Sequence, residues 1–267
     1  MQVEIEHWGP VALITVNRPD AHNALDLATL RALRQCLLDA RDRPETRAIV
    51  LTGKGAKAFC AGADLRGAPA NPASVAQALF LATEPAADQG LYIRLMDLGE
   101  LQIRKPIIAA INGYCLGGGL ELALQCDLRV ASTTASFALP EASVGSVPGV
   151  SGVHRLLRAV PTAHAMQMAL TGERVDAGKA LQIGLVSELC EPERLAERAL
   201  ELAQRIAANA PLAVQAIKTL ARSTAHLSDE QAQQLTELYW GALRDTADRQ
   251  EGRQAFTEKR APRFIGA

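Results

Sequence analysis

The sequence predicts an α/β protein, with parallel strands laid down by strand–helix units and a mainly helical C-terminal stretch, and three observations predict it. Short β-rich apolar runs recur, each closed by Gly or Pro: "VALITVNRP", "AIVLTG" and "PIIAAING". Between the first two lies Leu27 to Arg41, where Leu30, Leu33, Leu37 and Leu38 recur at the i, i+3, i+7, i+8 spacing of a helix with one buried face. After "DLRVAS" and "SFALP" the character changes. From about Ser151 the segments are long, rich in Ala, Leu, Gln and Arg, and punctuated by Pro161, Gly172, Gly184, Pro192 and Pro211. Arg66 to Gly90 carries Pro69, Pro72 and Pro85 without a steady period, so a mobile excursion outside the core is expected there.

Bulk composition narrows the function classes. A chain of 267 residues with 48% hydrophobic and 21% charged residues fits one large soluble domain, alone or with a helical appendage. Its net charge of -1 offers no basic field for nucleic acid. The five cysteines are scattered, without C-x-x-C, and their odd number argues against a closed disulfide framework, so a reducing compartment is expected. "MQVEIEHWGP" has acids where a secretion signal would have a basic start, and no run of about 18 apolar residues occurs. A cytoplasmic protein without membrane association is expected.

The chemistry concentrates in three stretches. In "NGYCLGGGLELALQCD" three glycines, Gly117 to Gly119, open an apolar helix with Glu121 in its first turn. The first N–H groups of a helix lack carbonyl partners and its dipole puts partial positive charge there, so such an end suits a developing anion. Glycine lets a ligand approach the backbone and permits positive φ. A tight strand-to-helix turn with a routine first-turn acid explains the same residues. "KAFCAGADL" makes a second turn of this kind, with Asp64 where a new helix would favour an acid. Two such turns after neighbouring parallel strands would aim two N–H groups into one crevice. In "FALPEASVGSVPGVSG", Glu141 sits between Pro140 and a run of small residues where a helix is not expected; by itself it reads as a solvated loop acid.

Taken together, the motifs "ITVNRPDAHNAL", "GKGAKAFCAGADL", "KPIIAAINGYCLGGGLELALQCDLRVAS", "SFALPEASVGSVPG", "ALTGERVDAGKALQIGLVSE" and "EGRQAFTEKRAPRF", in this order, make a chain that resembles the crotonase superfamily, the enoyl-CoA hydratase/isomerase family, over nearly its whole length. The resemblance implies a crotonase-like ββα spiral core over residues 1–200 and a helical C-terminal trimerisation region over 201–267. It implies that Ala63 and Gly118 supply the two backbone donors to a thioester oxygen, that Glu121 and Glu141 are the two acids of the family's hydratases, and that Gly149 is a donor near the attacking water. Ala21, Ala24 and Ala61 match residues lining the coenzyme A surface, Lys57 a basic residue near its phosphates, and Lys259 a lysine reaching the coenzyme from a neighbouring subunit. The implied partner is an acyl-CoA thioester, with no separate cofactor because coenzyme A belongs to the substrate, and the implied assembly is a homotrimer or a dimer of trimers. Where many relatives read "AGGTQRL", this chain reads "VSGVHRL", which puts Ser151 and His154 near the second acid in sequence. "SFALPEA" and the helical tail are similar to the carnitinyl-CoA dehydratase branch.

The elementary chemistry agrees with the resemblance. Adding water across an α,β-unsaturated thioester needs charge stabilised on the thioester oxygen, a base for water and an acid for the α-carbon. Glu141 is expected to protonate the α-carbon and Glu121 to orient and activate water. An enoyl-CoA isomerase is the nearest alternative, since shifting a double bond can need only one acid. A non-catalytic CoA-binding protein is another. Serine hydrolysis lacks the G-x-S-x-G elbow, and nucleotide hydrolysis lacks G-x-x-x-x-G-K-[ST]. The five histidines show no metal-ligand spacing such as H-E-x-x-H, so no metal site is expected.

Overall fold

The apolar runs become the middle of a parallel sheet in a computed structural model that describes residues 1–64, 66 and 74–267. In chain order the strands are β1 (Val3–Trp8), β2 (Val11–Val16), β3 (Ala48–Gly53), β4 (Ala58–Cys60), β5 (Ile107–Ile111), β6 (Tyr114–Leu116), β7 (Leu128–Ser132), β8 (Ser136–Ala138), β9 (Val175–Asp176) and β10 (Glu188–Cys190). The helices are α1 (Leu27–Asp42), α2 (Val75–Leu79), α3 (Thr83–Ala86), α4 (Gly118–Gln125), α5 (Gly152–Ala159), α6 (Thr162–Thr171), α7 (Ala177–Gln182), α8 (Leu195–Ala207), α9 (Pro211–Ser223), α10 (Asp229–Arg244) and α11 (Ala247–Glu258).

The first sheet runs β1-β2-β3-β5-β7-β10, parallel except for the β1–β2 pair. Its central strands are apolar on both faces because both are covered. Alternation sorts the residues: Ile14, Ile49, Leu51, Ile107, Ala109 and Ile111 meet Leu30, Leu33 and Leu37 of α1 in one core layer. Val11, Val50, Ile108, Ala110 and Val130 meet Leu195, Ala199, Ala203 and Ala207 of α8 in the other. The i, i+4 row of small residues lets α8 lie close against the sheet. Residue 200 therefore falls inside a helix that covers the sheet.

The second sheet, β4-β6-β8-β9, is the one that builds the site. β4, β6 and β8 run parallel, so the loops after them emerge at one edge. Ala63, Gly118 and Glu141 follow these three strands within a few residues.

Two features depart from the sequence reading. No strand was expected before Val11, yet β1 pairs along its whole length with β2; Val3 and Ile5, alternating with Glu4 and Glu6, carry the strand period. The expected mobile excursion over 66–90 is corrected where it is described. From Val75 the chain folds into α2, α3 and a turn that bury Ala78, Thr83, Ala86 and Ala87, and Arg31 of α1 pairs with Glu84 and Asp88. Residues 65 and 67–73 lie outside the described residues. Alanine buries too little area per residue to give a visible apolar period, which is why this packing escaped the pattern.

The C-terminal helices are fastened by polar anchors more than by apolar burial. The buried Lys218 of α9 donates to the Lys105 carbonyl at 2.7 Å and pairs with Asp127 at 2.6 Å. Both Asp248 oxygens of α11 accept tail amides, from Ile265 at 2.7 Å and Gly266 at 2.9 Å. Among the described residues no helix is long and apolar enough to cross a membrane.

Candidate active site

The three glycines have three different local reasons. Gly117 takes φ +52°, ψ -126°, a conformation that side chains disfavour, and turns the chain from β6 into α4. At Gly118 a methyl would stand 2.5 Å from Met96 Cε and 3.5 Å from the Ala63 amide nitrogen. At Gly119 it would overlap the Cys60 carbonyl, so this glycine seats α4 against β4. All eight residues of α4 are buried.

Ala63 is aimed by its neighbours. Leu25 N donates to the Gly62 carbonyl at 2.8 Å and Asp64 N donates to the Leu25 carbonyl at 2.9 Å, a parallel bridge in which the residues on either side of Ala63 make the bonds. The Ala63 N–H therefore points the other way, toward Gly118. Neither the Ala63 nor the Gly118 N–H donates to another group among the described residues. Two unpaired N–H groups, one opening the buried helix α4 and one in the loop after β4 beside it, are an arrangement able to hold one oxyanion. The Asp64 carboxylate accepts the Arg66 amide at 3.2 Å and pairs with Arg18 at 2.9 Å, and the Arg18 guanidinium holds it below the usual carboxylate range, with the Arg66 amide adding to this.

The acids approach these two amides from two sides. Glu121, completely buried, accepts the Val150 amide at 2.7 Å and the Gly152 amide at 2.9 Å through Oε1, leaving Oε2 without a partner among the described residues. Burial pushes its carboxyl up, against the amides of Val150, Gly152 and Gly149 and the charge of Arg155, which draw it down. Glu141 sits in a single 3-10 turn, Pro140–Val144, where no helix was expected; Pro140 at its start supplies the fixed φ. It is half-buried, its Oε2 is also unpartnered, and a methyl on Gly117 would stand 2.9 Å from its Oε1. Burial raises this carboxyl as well, and the charge of Glu121 raises it further. Two carboxyls whose burial favours the protonated form, each with its Oε2 unpartnered among the described residues, flank the glycine turn that leads to these two amides. Such a set can pass protons to and from a molecule whose oxygen is held by the two amides.

Gly149 lies beside this pair, with Ile93 Cδ1 3.3 Å from where its Cβ would be. Ala21, Ala24 and Ala61 form one patch: Ala24 N donates to Ala21 O and Ala61 N to His22 O, both at 3.0 Å. Lys57 is exposed at the start of β4, its carbonyl accepting the Tyr114 amide at 3.0 Å. Lys259 lies in the helical C-terminal region. It ends α11 with φ +56°, exposed, and no hydrogen bond or ion pair among the described residues joins its side chain to the loops of the site. Ser151 (φ +62°) and His154 are exposed on α5 and its cap, and no hydrogen bond joins them to either acid.

Several site residues were not singled out from sequence. The amides of Val150 and Gly152 hold Glu121; the smallness of Gly152 was the visible signal, since a methyl there would stand 2.8 Å from Glu121 Oε1. Met96 and Ile93 wall the site from a segment without a motif. Gln125 fixes that wall, donating to Met96 O at 2.9 Å and accepting from Leu98 N at 2.8 Å.

Comparison with known proteins follows the same lines. The model of the family described as enoyl-CoA hydratase/isomerase matches residues 6–267. The chain is 45% identical to an (E)-benzylidenesuccinyl-CoA hydratase of Thauera aromatica over 267 residues, all of both chains. It is 40% identical to a carnitinyl-CoA dehydratase of Salmonella typhi over 264 residues, 97% of this chain and 96% of that one. Among solved structures, an enoyl-CoA hydratase from Bacillus anthracis superposes with a TM-score of 0.89 at 35% identity, covering 100% of each chain.

Proposed function

This chain belongs to the crotonase superfamily and is an enzyme of its hydratase/dehydratase type, and from that premise we propose that it adds water across the 2,3 double bond of an α,β-unsaturated acyl-CoA, or removes it in reverse. The observation that carries the reading is the pair of carboxyls, one buried and one half-buried, with unpartnered Oε2 atoms and burial-raised affinity for a proton, beside two unpaired amides. In the proposed reaction the amides of Ala63 and Gly118 hold the thioester oxygen as it becomes an enolate. Glu121, fixed by the loop after Glu141, takes a proton from water, and the Gly149 amide helps to place that water. Glu141 delivers a proton to the α-carbon. The presence of two acids supports a hydro-lyase over an isomerase and over a non-catalytic CoA-binding protein.

The acyl group is proposed to be bulkier or more polar than a plain short chain, because the relatives above are named for benzylidenesuccinyl-CoA and carnitinyl-CoA. Coenzyme A is taken as part of the substrate, with no further cofactor, along Ala21, Ala24, Ala61 and Lys57. Lys259, exposed at the end of α11, is available to serve a neighbour, as the family resemblance implies, so a cytoplasmic homotrimer or dimer of trimers is proposed. The test is product identity with a panel of crotonyl-, longer enoyl-, benzylidenesuccinyl- and crotonobetainyl-CoA. A 3-hydroxyacyl product is expected. A moved double bond would make it an isomerase, and tight binding without turnover a scaffold; an active monomer in sedimentation would refute the assembly.

A further inference from the structure

Arg18 lies outside the proton-transfer set of this scheme, yet it is held on several sides. Its Nη2 lies 2.9 Å from Asp64 Oδ2 and 3.2 Å from Asp26 Oδ2, and its Nη1 donates to the Ala24 carbonyl. Asp26 is committed in turn: its Oδ1 caps α1 by accepting the Thr29 amide at 2.7 Å. The Arg18 amide donates to the Asn23 side chain at 3.0 Å, and the fully buried Asn23 (φ +56°) donates to the carbonyls of Lys54 and Ala58. Through these contacts the 18–26 loop is fixed at once to the end of β3, the start of β4 and the N-terminus of α1.

That loop is also what aims Ala63. The two bonds around the Ala63 peptide both go to Leu25, and Leu25 lies between Ala24 and Asp26, the two residues Arg18 grips. Arg18 completes the ring by holding Asp64, the residue after Ala63. Asp64 has 9% of its side chain exposed and Arg18 19%, so the pair is largely shielded from screening by salt. A planar fork can reach all three partners; a point charge cannot. The other oxyanion donor, Gly118, is held independently, by the burial of α4.

We propose that Arg18 is a positioning residue that sets the direction of the Ala63 N–H, through Asp64 and the Leu25 bridge, and so tunes polarisation of the thioester carbonyl. The proposal rests on the thioester reading above. It separates the two halves of the oxyanion cradle: one half is fixed by helix packing, the other by an ion pair.

The test reads polarisation directly. 4-(Dimethylamino)cinnamoyl-CoA, a conjugated thioester, absorbs at longer wavelength as its carbonyl is polarised. With wild type, binding produces a red shift. In Arg18→Gln and Asp64→Asn, at least half of that shift is lost and kcat on the best enoyl-CoA of the panel falls about 10- to 100-fold, as for small misplacements of a catalytic group, while the probe's Kd changes less than about threefold. Millimolar guanidinium restores part of the shift in Arg18→Ala. A folded Arg18→Gln that keeps the full shift overturns the proposal; if that variant does not fold, the full shift in Asp64→Asn overturns it. No recovery with guanidinium in a folded Arg18→Ala overturns it as well. Absence of any shift in wild type defeats the thioester reading and the proposal with it, whereas a wild-type shift retained in the variants defeats the proposal alone.

Discussion

Two helices of this chain show opposite ways of being stable. All eight residues of α4 are buried, whereas none of the sixteen residues of α10 is, and Leu238 and Trp240 on α10 are 70% and 60% exposed. α4 is short, opens on glycines and is wedged between β4, β6 and the 92–96 wall, so its existence depends on tertiary packing. α10 carries its own local signals: a Ser228–Gln231 capping box and acids in its first turn. The comparison teaches where sensitivity should lie. At α4 a single atom matters to chemistry and stability, while on α10 the chain tolerates change that leaves the helix intact.

The largest effects are expected at the acids gathered around α4. Glu121→Gln and Glu141→Gln should each lower hydration by about 100- to 10,000-fold, the range for a lost acid–base group, with much smaller changes in binding. Because in the proposed reaction the two act on one water and one carbon, the double variant should be little worse than the poorer single one. Steady-state kinetics checks both statements; full additivity would mean independent roles. Next in size is Gly118→Pro, which removes one of the two proposed oxyanion donors and should cost about 100- to 1,000-fold in turnover. Near-normal turnover in the folded variant would reduce the glycine run to a turn.

The comparison itself is sharpened by one methyl group. Gly119→Ala forces a Cβ onto the Cys60 carbonyl and should destabilise by about 1 to 3 kcal/mol, the usual range for overpacking. Gly241→Ala lies within α10, where nothing stands within 4 Å of the new Cβ, and should stabilise by roughly 0.5 to 1 kcal/mol. Urea midpoints of the two variants decide; equal effects would break the contrast.

A smaller contrast appears in pH dependence. Glu121 and Glu141 have raised carboxyls, so the native state holds protons the unfolded chain releases, and their contribution is complete at low pH and lost as pH rises from the ordinary carboxyl range through the raised values. Glu251 on α11 behaves oppositely. Arg260, and then the Arg263 amide, bring its carboxyl down to about 2, so its contribution is present above the ordinary range and lost as pH falls toward that value. Melting temperature against pH should flatten on the neutral side in the Glu121 and Glu141 variants and on the acid side in Glu251→Gln.

How far the sequence carried depended on the range of the interaction that decides each feature. The strands Ala48–Gly53 and Ile107–Ile111 and the helix from Leu27 were legible because apolar period and punctuating Gly and Pro act within a few residues. The two glycine turns were legible as helix-mouth chemistry for the same local reason. Glu141 was not legible alone: it reads as a loop acid, and only the paired carboxyls and the family's motif order give it a role. The pairing of Arg31 with Glu84 and Asp88 and the grip of Gln125 on the 92–98 wall join residues tens of positions apart and leave no local trace.

By itself the sequence determined the α/β alternation and the glycine turns, because backbone freedom and hydrophobic period are properties of neighbouring residues. Only the tertiary structure decided that Ala63 and Gly118 present their amides side by side, that Val150 and Gly152 clamp Glu121, and that Arg18 reaches Asp64. Those are matters of direction and desolvation. Hydrogen bonds and raised carboxyls exist only after the β4, β6 and β8 loops meet at one sheet edge and exclude water.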